Sequence, residues 1–254
     1  MILFGVDFNC QVVQAVVAVL VVGFLTVISL LKFYAYVTCG YFHDRVKMNG
    51  KTVIITGANG GIGKETAREI AKRGARVIMA CRNTDSGNKA RDLLKRSAPS
   101  RIVVVASELY RLASVNLNNI SPTNSWCTAY LYYVSKYANI YFTLELARRL
   151  EGTRVTANCL HPGMIDSGIW RNVPFPLNWP LKLIIKGFFK TPVQGCQTSV
   201  FLACSEEVEG VTGKYYMDCA EKGLSSGAKD ESKAKKLWEL SEKYVHLRTT
   251  DPKI

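Results

Sequence analysis

The longest apolar stretch of the chain lies near its N-terminus. Val12 to Leu31 contains twenty residues without a charge, about the length that a helix needs to cross a hydrocarbon core of ~30 Å. We interpret this stretch as a membrane anchor. A cleaved signal peptide is the alternative, but no basic segment precedes the stretch and no small-residue cleavage motif follows it closely. The pattern predicts a short N-terminal segment (1–11), the anchor (12–31), a connector (32–47) and one globular domain (48–254).

Within the globular domain, short β-branched runs alternate with stretches of helical spacing. KTVIITG (51–57) predicts a strand, KETAREIAKRG (64–74) a helix that stops at a glycine, and ARVIMACRN (75–83) a second strand. RIVVVAS (101–107) and RVTANCLHPG (154–163) predict two further strands, with a long helix between them. This order predicts an α/β fold, a Rossmann-type doubly wound parallel sheet that follows an N-terminal transmembrane helix.

The distribution of charge narrows the possible partners of the chain. The formal net charge is +13, but the basic residues are scattered and no RNA- or DNA-binding pattern accompanies them. We therefore predict no nucleic-acid partner and assign the charge to a membrane surface or a phosphorylated cofactor. Only Asp7 is charged before the apolar stretch, whereas Lys32, Arg45, Lys47 and Lys51 follow it. The positive-inside rule thus places the globular domain in the cytosol.

The cysteines do not form a recognisable site. Eight cysteines are spread along the chain without a C-x-x-C pair, so the spacing indicates neither a metal site nor a disulfide framework. We interpret them as buried or unreactive thiols in a reducing compartment.

A glycine-rich turn joins the first strand to the first helix of the globular domain. Such a turn can approach a pyrophosphate closely, and the N–H groups at the helix N-terminus then bind it. The candidate cofactor-binding residues of this turn are Thr56, Gly57, Asn59, Gly61, Ile62, Gly63 and Lys64. Where an NAD site usually has an acidic residue after the second strand, this chain has Arg82 and Asn83. Arg82 and Lys64 would suit a 2′-phosphate, which predicts NADP(H); the alternative is that both are solvated surface cations.

The long helix carries a second candidate motif. Tyr132 and Lys136 stand four residues apart, and therefore on one helix face. An ammonium beside a phenol would lower its pKa and make it an acid that can protonate a carbonyl oxygen. Because tyrosines crowd this helix, an aromatic face packed in the core is the alternative.

Together these motifs resemble the short-chain dehydrogenase/reductase family. The G-x-x-x-G-x-G spacing opened by Thr56 is typical of it, and ACRN, SKYANIYFTLELARRLEGTRVTANCLHPG and GVTGKYYMDC resemble its membrane-anchored retinol dehydrogenases. The resemblance implies that Ser107 orients the substrate and that Tyr132 and Lys136 are the catalytic pair. It also implies that Pro162 and Gly163 turn over the nicotinamide and that Ser167 holds its carboxamide.

The resemblance further implies an activity and a location. It predicts an NADP(H)-dependent oxidoreductase that interconverts a lipophilic aldehyde or ketone, such as retinal, and its alcohol. It places a single-pass protein in the endoplasmic reticulum membrane, with a mitochondrial membrane as the alternative, and leaves a homodimer open. The expected partners are a retinoid-like substrate and membrane lipid.

One departure from the family pattern is large. Thr56 and Tyr132 are roughly 65 residues closer together than the family's order of elements requires, and the central strand with its N-N-A-G motif is missing. Unpaired buried backbone groups cost about 1–3 kcal/mol each. We therefore expect either that RIVVVAS pairs directly with TVIITG or that the shortened chain, as a splice form or an imperfect gene model would produce it, folds poorly. The alternative function is a catalytically inactive, membrane-tethered relative that at most binds nucleotide or a partner.

Three further segments have weaker signals. Phe175 to Lys190 has lysines at 182, 186 and 190 with apolar residues between them, which favours an amphipathic lid at a membrane interface; an ordinary surface helix is the alternative. We interpret Asn118 and Asn119 as a surface turn. His161 is interpreted as part of the turn at a strand end rather than as a catalyst.

Overall fold

Strands and helices alternate along the chain after an apolar N-terminal helix. The computed structural model describes residues 10–80, 99–119, 128–166 and 178–246. Its α-helices and strands are α1 (Cys10–Val37), β1 (Thr52–Thr56), α2 (Gly61–Lys72), β2 (Arg76–Ala80), β3 (Ser100–Val105), α3 (Thr128–Arg149), β4 (Val155–His161), α4 (Asn178–Phe188), α5 (Pro192–Gly195), α6 (Gln197–Cys204), β5 (Tyr215–Met217), β6 (Ala220–Glu221) and α7 (Glu231–Tyr244). Short 3₁₀ helices cover Glu108–Leu112, Glu206–Val208 and Ser226–Lys229.

The described elements form two compact units. One contains α1 and α4, and the other contains the strands and the remaining helices. Within α1, Gln11–Tyr34 is long and apolar enough to cross a membrane, and none of it is buried. An exposed apolar helix of this length is what a membrane anchor requires.

The first sheet of the larger unit is a parallel βαβ unit. β1 pairs with β2 from Thr52 opposite Arg76 to Thr56 opposite Ala80. Helix α2 crosses between them and buries Ala67 and Ile70, because these two positions lie on one helix face. Ile70 belongs to a core cluster that also contains Leu160 of β4 and Val200 of α6.

The second sheet has the order β3-β4-β5-β6. β3, β4 and β5 are parallel, and β6 returns antiparallel after a two-residue turn at Asp218 and Cys219. Leu160 faces the α6 side of this sheet, whereas Cys159 faces the α3 side, where it packs among Tyr110, Tyr137 and Tyr141. Side chains from both faces are thus buried, as parallel sheets require. The predicted doubly wound α/β architecture is confirmed.

The two sheets remain separate. Among the described residues, β1 pairs only with β2, and β3 lies at the edge of its own sheet. The direct pairing of RIVVVAS with TVIITG, which we gave as one of two outcomes, therefore does not occur. On the edge of β3 that faces away from β4, the Val105 carbonyl accepts hydrogen bonds from side chains of α3 instead of from a strand.

Candidate active site

The glycine-rich turn adopts a geometry that only glycines allow. Gly57 and Gly61 have φ values of 66° and 53°, in the left-handed region that disfavours other residues. A Cβ atom on Gly63 would lie 2.5 Å from the carbonyl oxygen of Gly57. The helix start thus packs directly against the end of β1.

The same turn is open on its outer side. The N-cap of α2 is Gly60, which has no side chain to cap the helix, and among the described residues a Cβ on Gly57 or Gly60 would meet nothing within 4 Å. The first N–H groups of α2 therefore lie beside a turn that is open in the described part of the chain, which suits the pyrophosphate of a dinucleotide. Ala58 is buried below the turn, whereas Thr56, Asn59 and Lys64 are exposed and Ile62 is half-buried. Of the other predicted cofactor residues, Arg82, Asn83 and Ser167 lie outside the described residues.

The predicted catalytic residues meet at the carboxyl end of β3. Ser107 is only 4% exposed, and its hydroxyl accepts a hydrogen bond from the backbone N–H of Leu109 at 3.3 Å, which starts the 3₁₀ helix. Tyr132 lies on α3, close enough to Ser107 for that side chain to act on its pKa. Lys136 is one turn further along α3, with its Nζ 5.5 Å from the centre of the Tyr132 ring.

The electrostatics of Tyr132 differ from the expectation. Burial raises the pKa of Tyr132, although the Ser107 side chain acts in the opposite direction. From the sequence we predicted that Lys136 would lower this pKa, whereas burial makes the net direction of the shift upward. The Lys136 ammonium lies over the Tyr132 ring and donates to the Val105 carbonyl at 3.1 Å. Burial also lowers the pKa of Lys136.

Asn139 is a site residue that the sequence argument missed. Its Nδ2 donates to the same Val105 carbonyl at 3.1 Å. Its position three residues after Lys136, and thus on the same helix face, was the available signal. Lys136 and Asn139 together connect α3 to the carboxyl end of β3.

The turn after β4 contacts Lys190, which lies near the carboxyl ends of β4 and β5. Gly163 has a φ of 95°, and a Cβ there would lie 2.8 Å from Cδ of Lys190. Lys190 forms an ion pair with Asp218, and its backbone N–H donates to Met164 at 2.8 Å. From the sequence we predicted that Lys190 is part of an amphipathic lid over Phe175 to Lys190. That prediction is wrong, because α4 ends at Phe188 and Lys190 is tied to the strand ends.

The structure agrees with the interpretations of Asn118 and Asn119 as a turn and of Cys159 and Cys196 as unreactive thiols. Asn118 and Asn119 lie in an exposed turn whose N–H groups bind Asn116. Burial raises the pKa values of the Cys159 and Cys196 thiols to about 12, so both stay protonated and unreactive. Among the described residues, no group of acidic, histidine or cysteine side chains could hold a metal ion.

The structure therefore places the two parts of the predicted site on two different sheets. The turn from Thr56 to Lys64 belongs to the β1–β2 sheet, and the cluster of Ser107, Tyr132 and Lys136 belongs to the β3–β4 sheet. A glycine-rich turn at a helix start and a tyrosine–lysine–serine cluster, on parallel strands crossed by helices, form the arrangement expected of a nucleotide-dependent α/β oxidoreductase.

Comparison with known proteins identifies the class. The family model for short chain dehydrogenases matches residues 51–116. The chain is 37% identical to retinol dehydrogenase 14 of Mus musculus, over 79% of this chain and 87% of that protein. It is 32% identical to retinol dehydrogenase 12 of Mus musculus, over 86% of this chain and 92% of that protein. The chain belongs to the short-chain dehydrogenase/reductase family, and within it resembles retinol dehydrogenases.

The sequence match also supports the missing internal segment. An alignment of 291 positions that uses 79% of this chain must open long gaps in it, since the chain has only 254 residues.

Solved structures agree on the fold. An uncharacterised protein from Mycobacterium paratuberculosis gives a TM-score of 0.58 at 22% identity, over 79% of this chain and 95% of that chain. L-Sorbose reductase from Gluconobacter frateurii, complexed with NADPH and L-sorbose, gives 0.50 at 17% identity, over 68% of this chain and 96% of that chain.

Proposed function

We propose that this protein is an NADP(H)-dependent oxidoreductase that interconverts a lipophilic aldehyde or ketone and its alcohol, with retinal and retinol as the first candidates. The observation that carries the proposal is the cluster of Ser107, Tyr132 and Lys136 at the carboxyl end of β3. The resemblance to retinol dehydrogenases supports the choice of substrate.

The side chains have distinct roles in this proposal. The cofactor supplies or accepts the hydride. The phenol of Tyr132 donates its proton to the substrate oxygen during reduction, and the hydroxyl of Ser107 hydrogen-bonds that oxygen and orients it. Because burial raises the pKa of Tyr132, the phenol is protonated at neutral pH and ready to act as an acid. Lys136 holds α3 against β3 and gives the site a positive charge beside Tyr132.

The choice of NADP(H) rests on local charge. Lys64 lies exposed in the first turn of α2, which has no acidic residue. An exposed ammonium beside the cradle favours a cofactor with an additional phosphate. Arg82, at the end of the second predicted strand, would add a forked donor. The NADPH held by the related sorbose reductase fold is consistent with this choice.

The smaller unit supports a lipophilic substrate. Helix α4 presents Ile184 and Phe188 among its exposed residues, together with Lys182 and Lys186. Apolar side chains flanked by lysines are typical of helices that lie at a membrane surface. With α1 as the anchor, we propose an endoplasmic reticulum protein, or alternatively a mitochondrial one, that has its catalytic domain in the cytosol and takes its substrate from the bilayer.

Activity can be tested on the full chain in detergent. We expect the protein to quench or shift NADPH fluorescence and to consume NADPH when all-trans-retinal is added, with retinol as the product detected by chromatography. Decanal serves as a lipophilic aldehyde without the retinoid ring. Binding of NADPH without turnover of either aldehyde would contradict the enzymatic proposal.

Location needs a separate experiment. In microsomes we expect the chain to resist extraction by alkaline carbonate, and added protease should digest the domain after residue 48 without detergent. Protection of that domain from protease would contradict the proposed orientation.

A further inference from the structure

The connector that follows α1 packs on the larger unit as a strap, which we define as residues 40–48. Near its start, Phe42 is only 8% exposed and meets the Phe201 ring edge-on, with 5.6 Å between the ring centres. At its end, Met48 is buried in the same core cluster, and its N–H donates to the Arg73 carbonyl at 2.7 Å. Both ends of the strap are thus held by the core of the domain.

Burial alternates along the strap, as it does in an extended chain that lies on a core. Phe42, Val46 and Met48 pack into one core cluster. The residues between them that share the outward face are all exposed: Tyr41, His43, Arg45 and Lys47. Asp44 is the only acidic residue of the strap, and its carbonyl accepts a hydrogen bond from Nη2 of Arg73 at 3.2 Å. The outward face therefore carries two cations and no carboxylate.

With α1 as the anchor, the strap begins close to the membrane surface. The apolar span of α1 ends at Tyr34 and the helix at Val37, and Gly40 follows three positions later. Three helical and three extended residues reach at most about 15 Å. The headgroup layer takes up about 6 Å of this distance. Gly40 therefore lies within about one Debye length, ~8–10 Å, of the charged surface.

We propose that the outward face of the strap binds the anionic phospholipid headgroups of the leaflet that α1 enters. The inference rests on α1 being a membrane anchor, and it does not depend on the proposed enzymatic activity. Arg45 and Lys47 supply positive charge, which the negative surface of such a leaflet attracts. Tyr41 stacks on His43 with 5.6 Å between the ring centres, and it adds a ring of the kind enriched at membrane–water interfaces.

The strap also decides which part of the domain lies near the bilayer. A Cβ on Gly40 would overlap the carbonyl of Asp218, so the strap begins against the turn that follows β5. Because β3, β4 and β5 are parallel, this turn lies at the same edge of the sheet as the predicted catalytic residues. Binding of the strap to headgroups therefore holds the candidate active site near the leaflet.

Lysine labelling of the full wild-type chain tests the contact directly. The chain is inserted into nanodiscs of phosphatidylcholine, with or without phosphatidylserine, and mass spectrometry follows the acetylation of each lysine. We expect phosphatidylserine to slow the acetylation of Lys47 about fivefold, since a cation beside an anionic surface gains about this factor in affinity. The internal controls are Lys235 and Lys236, exposed on α7, which packs on α3 across the second sheet from the strap. Their rates should change less than about twofold. Equal rates for Lys47 in both lipids, or equal slowing of the control lysines, would overturn the inference.

Lipid retention by charge variants gives an independent test. The full chain is isolated from mixed micelles that contain equal amounts of the two lipids, and the lipids that stay bound are counted by mass spectrometry. We expect the wild type to enrich phosphatidylserine about fivefold or more. The double variant Arg45→Gln, Lys47→Gln should bring the ratio of the two lipids to about one. The double variant Lys235→Gln, Lys236→Gln makes the same change in net charge and should keep the wild-type ratio.

The outcomes separate this inference from the proposed activity. Equal loss of enrichment in both double variants, or a wild type that retains the two lipids equally, would overturn the inference. A chain that does not enter nanodiscs would contradict both the anchor and the lipid surface. A wild type that reduces no aldehyde but has a protected Lys47 would contradict the enzymatic proposal alone.

Discussion

At the scale of single residues, burial decides the chemistry of the candidate site. The pKa of Tyr132 is raised because the phenol is partly removed from water, and the neighbouring ammonium is directed to a backbone carbonyl. A phenol that keeps its proton is a better acid donor for a carbonyl than a base for an alcohol at neutral pH.

Tyr132→Phe should remove the proposed acid. We expect the rate of retinal reduction to fall about 10²- to 10⁴-fold, because general acid catalysis contributes this much. Binding of NADPH should persist. The measurement is NADPH consumption in detergent, and the matched control is Tyr130→Phe, an exposed tyrosine on the same helix. Unchanged reduction by the Tyr132 variant would show that another group supplies the proton.

At the scale of elements, one edge of β3 has no neighbouring strand among the described residues. The N–H of Ala106 donates to Leu160, so the backbone groups of the even-numbered residues of β3 face β4. Those of the odd-numbered residues, Val105 included, face the free edge. Lys136 and Asn139 satisfy the Val105 carbonyl at the end of this edge. Side chains of α3 thereby replace part of a strand.

Amide hydrogen exchange should show this alternation within one strand. We expect the amides of Arg101, Val103 and Val105 to exchange faster than those of Ile102 and Val104, because only the latter donate to β4. The measurement is exchange resolved to single residues by fragmentation mass spectrometry. The even-numbered amides serve as the internal control, and equal protection of both sets would mean that another strand covers the free edge.

The turn between β1 and α2 gives a matched pair of glycine variants. Gly63→Ala would place a Cβ 2.5 Å from the Gly57 carbonyl, and we expect a loss of about 1–3 kcal/mol in the free energy of unfolding. Gly60 has an extended φ of −165° and open space around it, so Gly60→Ala should unfold near the wild-type urea midpoint. Equal destabilisation by the two substitutions would contradict the close approach at Gly63.

At the scale of the whole molecule, buried tyrosines tie the C-terminal part of the chain to α3 and the second sheet. The Tyr141 hydroxyl donates to the Gly227 carbonyl at 2.8 Å, and the Tyr110 hydroxyl accepts from the Ser225 N–H at 2.9 Å. Burial raises the pKa values of Tyr141 and Tyr215, and Glu108 raises that of Tyr215 further. These raised values link the stability of the larger unit to pH.

The direction of this link follows from the raised pKa values. A phenol whose pKa is higher in the folded state stabilises the fold below its unfolded pKa of about 10 and loses that effect as the pH rises beyond it. We expect the melting temperature to fall between about pH 9 and pH 11. Tyr141→Phe should cost about 1 kcal/mol at pH 8 and show a smaller fall above pH 9. An unchanged pH dependence in this variant would exclude Tyr141 as a contributor.

The local patterns of the sequence determined most of the elements and the identity of the candidate site. The apolar stretch predicted α1, the β-branched runs predicted β1 to β4, and the glycine spacing predicted a turn whose φ angles require glycine. The tyrosine–lysine spacing predicted residues that share a helix face. Each of these features depends on neighbours within a few positions, so periodicity and backbone sterics are enough to predict it.

Only the tertiary structure decided how these elements meet. The hydrogen bonds of Lys136 and Asn139 to Val105 and the ion pair of Lys190 with Asp218 join residues from different elements. The separation of the two sheets also depends on how different elements pack. The direction of the Tyr132 pKa shift likewise follows first from burial. Burial and pairing are properties of the packed molecule, and for this reason the sequence motifs alone could not predict them.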